Sequence, residues 1–226
     1  MSMYLKYIVI LTVIACFMAC SKMEDSYNEF TKGGEIIYTG RVDSLKVSPG
    51  KNRIRLSWQL ISDPAITKCK VFWNDRADSM LIPVQRSTGV DTITVMLNNM
   101  AEKTYTFDIY TYDNAGHSSV SVDTLGIVYG DNYAASLFNR PLKTIAFSAD
   151  TARLDWSGAS AQCVGVQLRY NDVLGVLRTA WITSADKQTK LPAFKKGNNF
   201  EYRTLYLPAK AAIDTFYTAF ESKLVP

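Results

Sequence analysis

From about residue 41 onward the chain is a series of short runs in which apolar and polar residues alternate with a period of two, the pattern of strands with one buried face. Arg53-Ile54-Arg55-Leu56-Ser57-Trp58 and Ala152-Arg153-Leu154-Asp155-Trp156 are the clearest examples. Turn-forming residues separate the runs at Pro49-Gly50, Ser62-Asp63-Pro64, Asn74-Asp75, Asn98-Asn99, Asp113-Asn114-Ala115-Gly116, Asn171-Asp172 and Lys196-Gly197-Asn198-Asn199. Strands this short and turns this frequent predict β-sandwiches. Helical periodicity is confined to the N-terminal leader, apart from one turn expected over residues 209–213 after Pro208.

Alternation also assigns faces. Ile54, Leu56 and Trp58, then Cys69, Val71 and Trp73, then Ile93, Val95 and Leu97, then Tyr105, Phe107 and Ile109 point one way on their strands and supply a core. Leu154, Trp156, Val164, Val166, Leu168, Tyr170, Phe200, Tyr202 and Tyr206 do the same further on, which makes Trp58 and Trp156 core plugs. The opposite face of the first set carries Lys70, Phe72, Asp108, Tyr110 and Tyr112. The corresponding positions of the second set are Gln167, Arg169, Glu201, Arg203 and Leu205, so the aromatic face is expected in one copy only. Aromatic faces beside polar groups suit sugar rings and partner proteins alike; the plainer reading is that these rings are strand formers, or pack on a neighbouring module. Trp181, whose face alternation does not assign, is a further candidate platform.

The strand runs repeat in order. Val71-Phe72-Trp73-Asn74-Asp75 matches Leu168-Arg169-Tyr170-Asn171-Asp172, and Tyr105-Thr106-Phe107-Asp108-Ile109-Tyr110 matches Phe200-Glu201-Tyr202-Arg203-Thr204-Leu205. Together with the two tryptophan runs this indicates duplication. The expected organisation is a leader over 1–19, a tether over 20–34, a sandwich over 35–128, a linker over 129–141 and a second sandwich over 142–226. The linker is rich in aromatic and hydrogen-bonding groups and is expected to be ordered, with Tyr133, Leu137 and Phe138 burying between modules and Asp131, Asn132, Asn139 and Arg140 satisfying backbone.

The chain starts with Lys6, an apolar run from Tyr7 to Ala19, and then Cys20-Ser21-Lys22-Met23-Glu24-Asp25. The run is shorter than the roughly 18 to 20 residues of a membrane-spanning helix and ends in a small residue before cysteine, as in lipoprotein signal peptides. Val13-Ile14-Ala15-Cys16 is a rival site. Cys20 is preferred because polar sequence begins immediately after it. Several acyl chains on the new N-terminus would anchor the protein stably.

The net charge of +4 is spread without a Lys/Arg run, so no nucleic-acid footprint is expected. Cys69 and Cys163 fall in separate modules and read as two buried thiols. His117, the single histidine, sits in a turn and reads as a solvated residue, so no catalytic residues are assigned. No metal site is assigned either: the aspartates lack an EF-hand pattern, and Asp75 with Asp78 reads as a turn rather than a calcium loop. No cofactor is expected.

A tryptophan on the second strand, hydrophobic alternation on the third, a Tyr-x-Phe strand and the following Asn114-Ala115-Gly116 turn resemble fibronectin type III modules. More specifically, the segments from Gly34 to Asp43, Lys51 to Ile54 and Thr104 to Asp113, with the linker Tyr129-Gly130-Asp131-Asn132-Tyr133, resemble a bacterial lipoprotein family known as domain of unknown function 4998. The resemblance spans nearly the whole mature chain. It implies an all-β surface lipoprotein at the outer membrane, acting without catalysis beside glycan-uptake proteins, with a polysaccharide or oligosaccharide as ligand. A structural spacer or protein-docking scaffold is the alternative. The candidate ligand or partner face is Phe72, Tyr110, Tyr112 and Trp181. Lipidation at Cys20 is checked by mass spectrometry of the mature N-terminus: the acylated mass is expected on Cys20, and acyl chains on Cys16 or on a Cys20→Ala chain contradict it.

Overall fold

The computed structural model describes residues 37–226, so the leader, the tether and Cys20 lie outside the described residues. Residues Thr39–Pro226 form one compact unit. Its first half packs a three-stranded sheet of β1 (Asp43–Pro49), β2 (Arg53–Leu60) and β5 (Asp91–Asn98) against a four-stranded sheet ordered β4 (Asp78–Pro83), β3 (Lys68–Trp73), β6 (Lys103–Tyr112) and β7 (Val122–Val128). All pairs are antiparallel. Between the sheets lie Ile54, Leu56, Trp58, Cys69, Val71, Leu97, Tyr105, Phe107 and Ile109, the inward positions of the alternating runs.

The second half repeats the arrangement. One sheet has β8 (Leu142–Ser148), β9 (Thr151–Trp156) and β12 (Gln188–Leu191) in the order β12-β9-β8; the other has β11 (Leu177–Thr183), β10 (Cys163–Asn171), β13 (Asn199–Tyr206) and a broken last strand. That last strand is β14 (Phe216–Tyr217) followed by β15 (Glu221–Leu224), both paired with β13. The core holds Leu154, Trp156, Val166, Leu168, Tyr170, Phe200 and Tyr202. Trp156 is buried and its indole N–H donates to Thr189 Oγ1 at 2.8 Å. Both halves are therefore all-β sandwiches of three strands facing four, connected in the same order, as in fibronectin type III modules.

One inward assignment needs correction. Val164 is 37% exposed, because the β10–β13 register shifts between Cys163 and Gly165 and this bulge reverses the alternation there. Cys163 instead joins Tyr206 and Phe216 in a third apolar cluster. Cys69 and Cys163 are both buried free thiols, and burial pushes Cys69 up to about 11, which removes thiolate reactivity near neutral pH.

Between the halves the chain forms a short helix, α1 (Asp131–Ala135). Its orphan amides are satisfied from the first sandwich: Asn132 N and Tyr133 N donate to the Glu102 carboxylate at 2.8 and 2.7 Å. Tyr133 in turn packs edge-on to Phe216 of the second sandwich, with ring centroids 4.9 Å apart. Phe138 does not bury, being 81% exposed; its carbonyl accepts from Tyr206 Oη at 2.6 Å. Arg140 is almost fully enclosed, donating to the carbonyls of Ser157, Thr183 and Asp186. A direct bond also joins the halves: Arg53 Nε and Nη2 clamp Asp214 at 2.9 and 2.5 Å, and Lys51 N donates to the same carboxylate. The Arg53 hydrogen bond holds Asp214 below the usual carboxylate range.

Trp58→Ala and Trp156→Ala are each expected to cost about 3 to 5 kcal/mol, the range for emptying a large aromatic from a core, and to unfold mainly the sandwich they occupy. Denaturant titration followed by calorimetry checks this, and a cost below about 1 kcal/mol at either site contradicts the assignment.

Candidate functional site

The candidate face of the first sandwich is built by the β3–β6 register. Lys68 stands opposite Tyr112, Lys70 opposite Tyr110 and Phe72 opposite Asp108. These six residues alternate against the core, so their side chains emerge on the outer surface of the four-stranded sheet. The rings touch: Phe72 meets Tyr110 edge-on at a centroid distance of 5.9 Å, and Tyr110 lies 6.5 Å from Tyr112. Each of the three is half-buried by its neighbours, and the second sandwich contributes no strand against β3 or β6. Exposed Leu81 on β4 stands opposite Lys70 beside the rings, while exposed Leu125 on β7 stands opposite Thr106, further along the same face.

Cations edge this surface. The Lys70 ammonium sits 4.6 Å from the Phe72 ring centroid and the Lys68 ammonium 5.8 Å from that of Tyr112. Arg76 reaches in from the β3–β4 turn, donating from Nη2 to Tyr110 Oη at 2.7 Å and from Nε to Asp108 Oδ2 at 3.0 Å. The Asp108 bond raises the Arg76 guanidinium further above its ordinary value. Burial and the adjacent Tyr110 push the Tyr112 phenol up, with Arg76 opposing. The turn that aims Arg76 is strained: Asn74, Asp75 and Arg76 have φ of 52°, 53° and 66°, three consecutive residues with side chains in the left-handed region. Asn and Asp tolerate this conformation in hairpin turns, so the cost falls mainly on Arg76, on the order of 1 kcal/mol. Asp75 and Asp78 belong to this turn, Asp78 accepting from Asn74 Nδ2.

On the second sandwich, Trp181 projects from β11 on the equivalent outer face, opposite Gln167, and is 52% exposed. Its indole rests over Gly165: a Cβ there would come within 2.5 Å of Trp181 Cζ2, so only glycine leaves room for the ring. Structure does not join Trp181 to Phe72, Tyr110 and Tyr112; the four candidates divide between two sheets.

The expectation that aromatic character belongs to one copy is overturned. Tyr217 and Phe220 reach the same outer face as Trp181, with the Arg203 guanidinium 4.4 Å from the Tyr217 ring centroid and 4.7 Å from that of Phe220. Arg169 lies 4.0 Å over the other side of this cluster at Phe220 and pairs with Glu201 at 2.6 Å. Alternation missed both rings because the last strand breaks between β14 and β15, which resets the phase at Phe220. Leu205, expected on the outer face, is buried beside Gly165 and Tyr217.

His117 is half-buried rather than freely solvated, with Nδ1 2.6 Å from Asp113 Oδ2. Burial pushes the Asp113 carboxyl up, but side-chain and backbone hydrogen bonds from His117 outweigh it and leave it below the usual range. Clefts of about 330 to 390 Å³ among the described residues include three that are not lined by two carboxylates. Among the described residues no group of three His, Cys, Asp or Glu is placed to hold a metal ion.

Strand order and faces define a tandem fibronectin type III-like β-sandwich protein. The chain belongs to the family described as a domain of unknown function, DUF4998, whose model matches residues 20–216. Among solved structures, a segment of two fibronectin type III domains from chicken tenascin is similar at 12% identity, covering 82% of this chain and 98% of its own, with a TM-score of 0.33. The FN1–FN3 domains of chicken CNTN1 are similar at 10% identity, covering 83% of this chain and 68% of their own, with a TM-score of 0.37. No curated protein matches the chain.

Proposed function

We propose that the protein is a non-catalytic lipoprotein, anchored through Cys20 at the outer membrane and displayed at the cell surface, that binds polysaccharide or oligosaccharide as an accessory to glycan-uptake proteins. The observation that carries this reading is the solvent-facing cluster of Phe72, Tyr110 and Tyr112, edged by Lys68, Lys70, Arg76 and Asp108. Ring faces accept the C–H edges of sugars while adjacent charged groups hydrogen-bond their hydroxyls. The hydrogen bonds that hold Arg76 on Tyr110 and Asp108 support a binding role, because they fix a cation at the edge of the rings. Trp181, seated on Gly165, offers a second platform on the other sandwich.

The junction favours a second reading, that of a spacer or docking scaffold. Glu102 capping α1, the Tyr133–Phe216 contact and the Arg53–Asp214 clamp are the bonds expected of a part whose task is to hold two modules in register.

Affinity electrophoresis of the protein against a panel of polysaccharides separates the two. Retardation by at least one glycan is expected, and the double substitution Tyr110→Ala with Tyr112→Ala should abolish it while changing stability by about 1 kcal/mol or less, since no sealed cavity is left. Unaltered retardation in that double variant removes the face from the site. No retardation on any glycan supports the spacer.

A further inference from the structure

The β10–β11 hairpin ends in a feature that neither the strand pattern nor the aromatic faces explain. Val173, Leu174, Val176 and Leu177 are four aliphatic side chains around Gly175, all about half exposed or more, with Leu174 at 81%. Isolated exposed aliphatics are ordinary; four at one tip are not.

The tip is built to stay out. Asp172, almost fully buried, turns its carboxylate inward: Oδ1 accepts from Leu174 N and Val176 N, both at 2.9 Å, and Oδ2 from Arg178 Nε at 2.9 Å. Gly175 N donates to Asp172 O at 2.9 Å, Val173 N to Ala193 O at 2.8 Å, and Gly175 takes the left-handed φ of 80° that the turn requires. Every amide from Val173 to Val176 thus has a partner within the protein. A tip whose N–H groups are already paired gives up less hydration on meeting an apolar medium than one whose donors are free.

The charge beside the tip is positive. Asp172 is bridged to Phe194, and the next two residues, Lys195 and Lys196, are exposed. The Asp172–Arg178 pair is internally neutral. Asp150, whose carbonyl accepts from Phe194 N, adds one carboxylate that the two lysines outnumber. A convex aliphatic tip beside lysines is the combination that binds lipid interfaces. It fits a protein partner less well, because it carries no aromatic anchor and its one arginine, Arg178, is committed to Asp172.

We infer that residues 173–177 form a lipid-contacting finger that rests the second sandwich on an anionic lipid surface. The inference rests on the reading that the chain is anchored through Cys20: tethering makes the contact intramolecular, so a weak finger suffices.

The test uses the acylated protein reconstituted in vesicles, with a polarity-sensitive fluorophore on Leu174→Cys; Cys69 and Cys163 are buried and stay unlabelled. In phosphatidylcholine–phosphatidylglycerol vesicles the probe should emit blue-shifted and be quenched several-fold more strongly by lipids brominated near the headgroup than a probe on Leu125→Cys. Both effects should fall in phosphatidylcholine alone and in the Lys195→Glu, Lys196→Glu variant. A protein that floats with the vesicles while its tip probe reports water overturns the finger and leaves the anchor standing. One that fails to float overturns both. Shielding that appears only when another protein is added overturns the lipid assignment in favour of a protein socket.

Discussion

Residues 68–72 of β3 pair antiparallel with residues 108–112 of β6 so that Val71 faces Ile109 while Lys70 faces Tyr110, and this register fixes both faces of the sheet at once. Cys69, Val71, Tyr105, Phe107 and Ile109 go to the core, where their burial stabilises the fold by about 25 cal/mol per Å² of apolar surface removed from water. The same alternation leaves Phe72, Tyr110 and Tyr112 no course but outward. A slip of one residue would bury the lysines and expose the core, so the aromatic face is as strongly specified as the core itself.

The second sandwich reaches an aromatic outer face by other means. Its paired strands supply Gln167, Arg169, Glu201 and Arg203, and the rings come from the edge strand and the broken last strand, as Trp181, Tyr217 and Phe220. The two halves therefore share strand order and a core between the sheets while their outer faces differ. The junction ties the two copies through groups of opposite kinds: a carboxylate capping a one-turn helix, a ring cluster, and an arginine clamp on Asp214.

Sandwich class, duplication and most inward residues were legible because period-two alternation is a direct physical record of burial on one face. Phe72, Tyr110 and Tyr112 were placed by that same record. Alternation fails wherever the pairing is interrupted. The bulge at Cys163–Gly165 exposes Val164, and the gap between β14 and β15 hides Phe220 from any phase argument. Phe138 was misplaced for a different reason: linkers carry no period, so apolarity alone was the guide, and its backbone rather than its ring is what the fold uses. Arg76 could not be read at all, since its approach to Tyr110 depends on three left-handed residues in a turn. The apolar hairpin tip stood in the sequence as Val173-Leu174-Gly175-Val176-Leu177, but only the Asp172 hydrogen bonds distinguish a braced tip from a strand end.

The central claim is that ligand sits on the outer face formed by β3 and β6. It is tested most directly by NMR of the protein labelled with carbon-13 in its tyrosine rings, titrated with a polysaccharide that retards it. Tyr110 and Tyr112 should shift while Tyr105, on the same strand but buried in the core, stays in place. Shifts confined to Tyr217 and the other tyrosines of the second sandwich, with Tyr110 and Tyr112 unmoved, would contradict it.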